Sequence, residues 1–195
     1  MRDPLLQEDD AATPLSAEER DGLIPAYITL RRELNEAEQK NILAADQWAF
    51  SRRREVLEKR FLLNLHKRMF GNVWNWAGRY RMTARNIGVE PFQIESDLIQ
   101  LIDDARYWIL QTTYPSDEIA ARFHHRLVFI HPFPNGNGRH ARLAADLLLA
   151  SLGQPRFSWG SRSLVSTSET RRAYVHALKQ ADRHDYAPLL AFVRS

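Results

Sequence analysis

The sequence predicts a mainly α-helical fold with one short β-hairpin. Most segments place their apolar residues three or four positions apart, which is the spacing of one face of a helix. Residues 85–95, RNIGVEPFQIE, interrupt this spacing, since Gly88 and Pro91 separate short extended stretches as they do in a hairpin. The length of 195 residues suits one domain with a good-sized core.

The composition is that of a globular protein and excludes several kinds of site. Hydrophobic residues make up 44% of the chain and charged residues 26%, and no apolar run approaches the roughly 20 residues of a membrane span. Because there is no cysteine, disulfides, thiolate zinc sites and a cysteine nucleophile are excluded. The acidic, polar N-terminal stretch is unlike a secretory signal, so we expect a cytoplasmic protein that does not bind membranes.

The excess of basic residues is small. The chain has 27 Lys and Arg against 24 Asp and Glu, for a net charge of +3. Its basic runs, at residues 52–54 and 171–172, lie in helix-like segments that also contain glutamates. This favours solvated helix faces over a phosphate-binding patch, so direct nucleic-acid binding is not expected.

Residues 1–50 are predicted to be an N-terminal arm that ends in a helix. Ser16 and Glu19 have the spacing of a capping box, which indicates a short helix before Pro25. The stretch that follows is rich in helix formers, and Asn35 with Glu38 could cap a helix within it.

Residues 51–195 are predicted to form the main domain. A helical pattern over residues 51–70 is followed by a tryptophan-containing loop and then by the hairpin. Helical spacing then returns in five segments, at residues 95–110, 115–130, 139–152, 168–182 and 185–193.

The stretch HPFPNGNGRHAR, residues 131–142, has the features of an anion-binding helix start. Glycines within 136–138 permit a sharp turn and leave backbone amides uncovered. The first amides of a helix lack intrahelical acceptors and carry partial positive charge. Arg139 and Arg142 are three positions apart and can reach the same anion, so a diphosphate or triphosphate is expected.

His131 directly precedes this turn. A neutral imidazole there can take a proton from an incoming hydroxyl, and Phe133 is expected to anchor the loop in the core. A histidine before proline is often only a capping or core residue, and Gly-Asn-Gly alone is a common turn. Their joint occurrence with the two arginines favours phosphoryl or nucleotidyl transfer.

The same stretch resembles the signature of the Fic (filamentation-induced-by-cAMP) family, His-Pro-Phe-x-(Asp/Glu)-Gly-Asn-Gly-Arg-x-x-Arg. The resemblance extends back through HHRLVFI and LHKRMFGNVWNWAGRYR, so that it spans roughly residues 60 to 150. The chain length and the segment ELNEAEQ are similar to a Fic-containing group called mobile mystery protein B.

The resemblance implies a Fic-type helical bundle with a β-hairpin flap before the signature helix pair. It implies a protein adenylyltransferase that moves AMP from ATP to a hydroxyl side chain of a target protein. His131 would be the catalytic base, the amides of Gly136 to Gly138 with Asn137 would hold the α- and β-phosphates, and Arg139 and Arg142 would bind the β- and γ-phosphates.

The flap that the resemblance implies would dock an extended segment of the target by strand addition. A hairpin that only stabilises the fold is the alternative at these positions. The docking residues would be Ile87, Gly88, Val89, Glu90 and Phe92.

Asn135 departs from the family pattern, which has Asp or Glu at this position to hold Mg²⁺. An amide oxygen is a weaker ligand for magnesium than a carboxylate. Three interpretations follow: weaker magnesium binding through Asn135 and water, slower or different transfer, or loss of activity.

An inhibitory helix is also expected from the resemblance, because some Fic proteins carry the pattern Ser/Thr-x-x-x-Glu-Gly/Asn. Thr29 and Glu33 have this spacing, although Leu34 replaces the last residue. Glu33 would then pair with Arg142 and compete with a phosphate. The alternative is a solvated glutamate.

Three functions therefore remain open at the level of the sequence. The first is an adenylyltransferase inhibited by its own N-terminal helix. The second is a Fic-fold enzyme that transfers a phosphoryl group or another nucleotide. The third is a catalytically weakened nucleotide-binding interaction protein, with a DNA-binding regulatory partner.

Overall fold

The computed structural model describes residues 21–161 and 167–195, and this part of the chain is mainly helical, as predicted. No helix among these residues is both long enough and apolar enough to cross a membrane. The helices are α1 (Arg31–Phe50), α2 (Lys59–Phe70), α3 (Ile94–Leu110), α4 (Ser116–Ile130), α5 (Asn137–Ser151), α6 (Thr167–Ala181) and α7 (Ala187–Arg194).

Helices α4 and α5 lie at the centre of the fold and pack against each other. On one side, α1, α2 and α3 cover them with the main apolar core, which includes Leu65, Leu101 and Leu148. On the other side, α6 and α7 form a second cluster around Leu149 and Leu189. The α4–α5 pair is therefore packed between helices on both sides.

The predicted helix boundaries hold for α3 and α4 within a residue or two, and differ at α1 and α2. The helix at the end of the N-terminal arm is α1, which starts at Arg31. The capping box predicted at Ser16 and Glu19 lies outside the described residues. Helix α2 begins at Lys59 instead of residue 51, because α1 ends at Phe50 and the Arg54 side chain bonds to the carbonyl groups of Trp48 and Ala49.

The predicted packed loop between α2 and the flap segment is present. Trp74 and Trp76 are buried there, with ring centroids 5.0 Å apart. Trp74 also forms an isolated antiparallel bridge with Leu23, which attaches the N-terminal segment to this loop.

The predicted β-hairpin is not formed: residues 82–90 contain no strand, and Pro91–Gln93 is a 3-10 turn. The physical reason lies in Arg81, whose guanidinium donates hydrogen bonds to the carbonyl oxygens of Thr83 and Val89, on the two arms of the expected hairpin. The Val89 amide bonds to Ile130 instead of to the opposite arm. Each arm is thus attached to the α4–α5 turn and not to the other arm.

Five buried histidines distinguish this core from an ordinary apolar one. Burial lowers the pKa of His124 to about 3 and that of His131 and His140 to about 4, and it lowers the pKa of His66 and His125 as well. All five are therefore neutral at pH 7. Since the unfolded chain binds protons near the ordinary value of 6.5, acid favours the unfolded state.

Stability is expected to fall as the pH is lowered from about 7 to about 5. The contribution of each histidine is fully present above its unfolded pKa and is lost as the pH falls toward its folded pKa, by about 1–2 kcal/mol over this interval for a fully buried ring. Urea unfolding at several pH values measures it. His140→Gln should flatten the dependence, whereas His176→Gln, at an exposed position on α6, should not. Equal slopes in all three proteins would contradict this explanation.

Candidate active site

His131 is the residue at which α4 ends, and it has a left-handed backbone conformation with φ 53° and ψ 58°. Its amide still bonds to the Leu127 carbonyl, and Pro132 prevents the helix from continuing. The side chain is only 6% exposed. The chain therefore turns sharply at His131 and presents the imidazole at the start of the loop, as the sequence predicted.

The His131 imidazole is held in its neutral form. Burial is the main cause of the lowered pKa, and the positive charges of Arg81 and Arg85 act in the same direction, while the Val128 carbonyl opposes them. A neutral imidazole is the form that accepts a proton. The site thus has an imidazole able to act as a base at neutral pH.

Phe133 and Asn137 hold the turn between α4 and α5 together. Phe133 is fully buried, as expected of an anchor. The Asn137 side chain accepts a hydrogen bond from the Phe133 amide at 2.9 Å and donates one to the Phe133 carbonyl at 2.8 Å. The Asn137 side chain, which was expected to hold phosphate, is therefore used inside the loop.

His66, on α2, supports the turn that carries His131, and sequence reasoning missed it. Its ring stacks on Phe133 with 3.6 Å between centroids. Nδ1 accepts from the Gly78 amide at 3.0 Å, so Nε2 carries the proton that bonds to the Asn135 carbonyl, also at 3.0 Å. A histidine within the buried stripe of α2, next to Leu65, was the signal that could have revealed it.

The predicted anion site lies at the start of α5, where the backbone has the expected sharp turn. Gly136 has φ 78°, a left-handed conformation that glycine adopts without strain. Its amide is engaged by the Asn135 side chain at 2.5 Å. The amides of Asn137 and Gly138, in the first turn, have no carbonyl one turn earlier to bond. These amides and the helix dipole are what the site offers to a phosphate.

The two arginines of the signature differ in their partners. Arg139 makes an ion pair with Glu38 of α1 at 2.6 Å, and its guanidinium lies 4.9 Å from the Phe70 ring centroid. Arg142 lies over the Tyr174 ring at 5.8 Å, and within residues 21–161 and 167–195 it makes no ion pair or hydrogen bond. Among these contacts, Arg139 therefore has a carboxylate partner and Arg142 has none.

Tyr174 of α6 borders the same site. Its hydroxyl is hydrogen-bonded to His124 at 2.9 Å and lies 4.0 Å from the position of a Cβ placed on Gly138. Burial raises the pKa of Tyr174 to about 12, so the hydroxyl keeps its proton.

Glu33 is not brought to Arg142. Its carboxylate accepts hydrogen bonds from the Thr29 and Leu30 amides at 3.0 and 3.1 Å, which cap the start of α1 and lower the pKa of Glu33. The acid that does reach the signature helix is Glu38, five residues later on α1. Glu38 is 4% exposed and also accepts from the Trp74 indole at 2.7 Å.

Asn135 and the residues around it do not form a magnesium site by themselves. The Asn135 amide oxygen already accepts from the Gly136 amide. Among the described residues no group of three or more His, Asp or Glu side chains could hold a metal ion. A hard divalent cation prefers anionic oxygens, which this position lacks, so we derive no catalytic step through a protein-bound metal.

The segment predicted to be a flap lies against His131, although it is not a hairpin. A Cβ placed on Gly88 would lie 2.6 Å from the His131 Cβ, and Gly88 has φ 93°. Ile87 and Phe92 are 49% and 82% exposed, while Val89 packs against the core. Of the five predicted docking residues, Gly88 and Val89 thus contact the end of α4, and the docking role of all five, including Glu90, stays a prediction.

The sequence pattern of the Fic/DOC family matches residues 56–149, which include the whole of the site from His66 to Arg142. The chain contains a Fic/DOC-family domain. Two structures support the same Fic fold. The BepC protein of Bartonella tribocorum, with bound AMPPNP, has a TM-score of 0.68 and 18% identity over 92% of this chain and 97% of that one. A fragment of Fic-1 from C. elegans has a TM-score of 0.63 and 26% identity over 89% of this chain and 50% of that one.

Curated relatives with this Fic domain carry the name protein adenylyltransferase. The protein from Nematostella vectensis is 31% identical over 137 residues, and the one from Caenorhabditis elegans is 33% identical over 140 residues. Each match covers 68% of this chain, but the chain spans only 30% and 25% of the length of these two relatives. The resemblance to mobile mystery protein B stays a prediction.

Two glycine variants separate phosphate binding from folding. Gly138→Ala fits the fold, because its Cβ would meet only the Tyr174 hydroxyl at 4.0 Å, but it adds a methyl group beside the first amides of α5. We expect an unchanged melting temperature and ATP binding weakened about tenfold, or about 1.4 kcal/mol. Gly136→Ala should instead lower the melting temperature, since φ is 78° and its Cβ would lie 2.5 Å from Phe70.

The ATP affinity of both variants is measured by isothermal titration calorimetry, and their melting temperatures are measured by thermal unfolding. If Gly138→Ala binds ATP as tightly as the wild-type chain does, the start of α5 is not the phosphate site.

Proposed function

We propose that this protein is a protein adenylyltransferase that transfers AMP from ATP to a hydroxyl side chain of a target protein. The observation that carries the proposal is the placement of a neutral, buried His131 at one end of a turn whose other end is the N-terminus of α5, a position that suits an anion. The names of the curated relatives support the same activity. Bound AMPPNP and ADP in structures of Bartonella Fic proteins support nucleotide binding.

The proposed reaction uses His131 as the base. The imidazole takes the proton of the target hydroxyl, whose oxygen attacks the α-phosphorus of ATP. The bond from that phosphorus to the bridging oxygen breaks, and diphosphate leaves with the electron pair. The Asn137 and Gly138 amides and the Arg142 guanidinium stabilise the phosphate charge, which is how a fixed set of donors lowers the barrier to phosphate chemistry.

Arg139 is expected to join Arg142 on the β- and γ-phosphates once its pair with Glu38 is released. Magnesium stays a prediction and would arrive with ATP, held mainly by phosphate oxygens, because Asn135 offers only a neutral and already bonded oxygen. The target segment is proposed to dock along residues 87–92, where Ile87 and Phe92 are exposed beside His131.

Helix α1 is proposed to inhibit the site through Glu38 instead of Glu33. The Glu38 carboxylate is buried, and it uses the Arg139 guanidinium that a phosphate would otherwise occupy. Removing a buried carboxylate from its arginine costs several kcal/mol unless another anion replaces it, so nucleotide and Glu38 would compete. Glu33 caps the start of α1 and has no contact with Arg139 or Arg142 among its described contacts.

Incubation of the full chain with α-labelled or γ-labelled ATP tests the reaction. We expect protein labelling from the α position only, and His131→Ala should abolish it. Label from the γ position alone would indicate phosphoryl transfer, and no label in wild-type or Glu38→Gln protein would favour a binding protein. Labelling that survives in His131→Ala would refute His131 as the base.

Glu38→Gln tests the inhibition. The amide keeps an oxygen for the Trp74 indole but removes the negative charge that pairs with Arg139, so ATP binding should tighten and self-labelling should rise about tenfold. Glu33→Gln is the matched control and should change neither, since Glu33 bonds only to its own helix start among its described contacts. An increase in Glu33→Gln but not in Glu38→Gln would reverse the assignment.

A further inference from the structure

Arg81 is the largest fully buried side chain of the described residues, at 1% exposure, although it lies in a segment without regular structure. Burying a guanidinium is costly unless its donors find acceptors. An arginine is therefore expected at such a position only where several backbone acceptors converge, and the contacts of Arg81 show that they do.

The Arg81 side chain bonds to three separate parts of the site. Nε donates to the His131 carbonyl at 2.7 Å, Nη1 donates to the Thr83 carbonyl at 2.9 Å, and Nη2 donates to the Val89 carbonyl. The Arg81 amide adds a bond to the Pro132 carbonyl at 2.9 Å. One residue thus connects both arms of the flap segment with the catalytic turn.

The conformation of His131 depends on this connection. A residue other than glycine with φ near 53° is strained, by about 1–2 kcal/mol, and persists only where its surroundings hold it. Arg81 holds the carbonyl of that strained residue. Gly88 permits the close approach, since a Cβ there would lie 2.9 Å from Arg81 Nη2 and 2.6 Å from His131 Cβ.

We propose that Arg81 is a positioning residue that holds the His131 imidazole and the target-docking segment 83–89 as one rigid unit. A target segment seated on residues 87–92 is then presented at a constant distance from the base. This inference rests on the proposed function, in which His131 is the base. Arg81 itself acts through His131 and touches neither nucleotide nor target.

The charge of Arg81 provides a readout that a purely structural role would not affect. The charged groups that act on His131 are Arg81 and Arg85, both on the segment before α3, and both lower its pKa, after burial. Removal of the Arg81 charge should therefore raise the pKa of His131, and substitution by lysine should preserve most of the lowering.

The experiment compares Arg81→Met with Arg81→Lys in the full chain. The pKa of His131 is measured by NMR in protein with labelled histidine, and its signal is assigned by comparison with His131→Gln. Cleavage after Arg85 is followed with limiting trypsin. AMP transfer and ATP binding are measured on the same proteins. In Arg81→Met we expect a raised His131 pKa, faster cleavage, and a transfer rate reduced on the order of 100-fold with unchanged ATP affinity. Arg81→Lys should be cleaved faster by trypsin and should transfer AMP more slowly, with little change in the His131 pKa.

The matched control is Arg194→Met, far from the site. Arg194 also donates to two backbone carbonyls, those of Pro155 and Arg156, and pairs with Asp117. It should lower stability without moving the His131 pKa or exposing Arg85. An Arg81→Met protein with the wild-type His131 pKa and cleavage rate would overturn the proposal. If Arg81→Met does not fold, wild-type cleavage and transfer in Arg81→Lys would overturn it instead.

The titration and the cleavage do not use the transfer reaction. A chain in which both respond as expected but which transfers no AMP would refute the proposed function and leave the coupling of Arg81 to His131 standing. The opposite result, normal transfer that needs His131 with no response to Arg81 substitution, would refute this inference alone.

Discussion

The site depends on the buried turn that connects α4 to α5. Within seven residues this turn ends one helix at a left-handed histidine, buries Phe133 and starts the next helix at a left-handed glycine. Such a turn exposes many backbone groups, and a buried backbone group without a partner is costly. His66, Asn137 and Arg81 supply those partners from the core side, so the outer side is left with the amides of α5 and the imidazole.

The positive charge at the start of α5 is partly balanced by a carboxylate, so that it does not destabilise the folded state. Helix α5 brings its dipole and two arginines to one place, and a cluster of like charges opposes folding unless it is balanced. Glu38 balances Arg139 from a buried position on α1, while Arg142 keeps its donors beside the Tyr174 ring. In the proposed function, the ion pair between Glu38 and Arg139 is the contact at which the N-terminal helix and a polyphosphate would compete.

Much of the fold could be predicted from the sequence because helical spacing is a local signal. The helices that pack on α4 and α5 were predicted, although α1 and α2 start at other residues than expected, and the signature was found from its glycines, arginines and histidine. Glu38 was missed because any glutamate on a helix at the correct distance could meet an arginine, and only packing shows which one does. The prediction of a hairpin was wrong because Gly88 and Pro91 indicate a turn but do not specify the hydrogen-bond partners of the two arms.

The sequence by itself determined the chemistry that is available: an imidazole before a proline, a glycine turn at a helix start, and two arginines one turn apart. These features follow from residue type and spacing over twelve positions. The tertiary structure alone decided which groups remain available, since Asn137 and Asn135 are used within the loop and Arg139 is paired across helices. The reason is physical: hydrogen bonds and ion pairs between distant segments depend on how the helices pack, which no local spacing specifies.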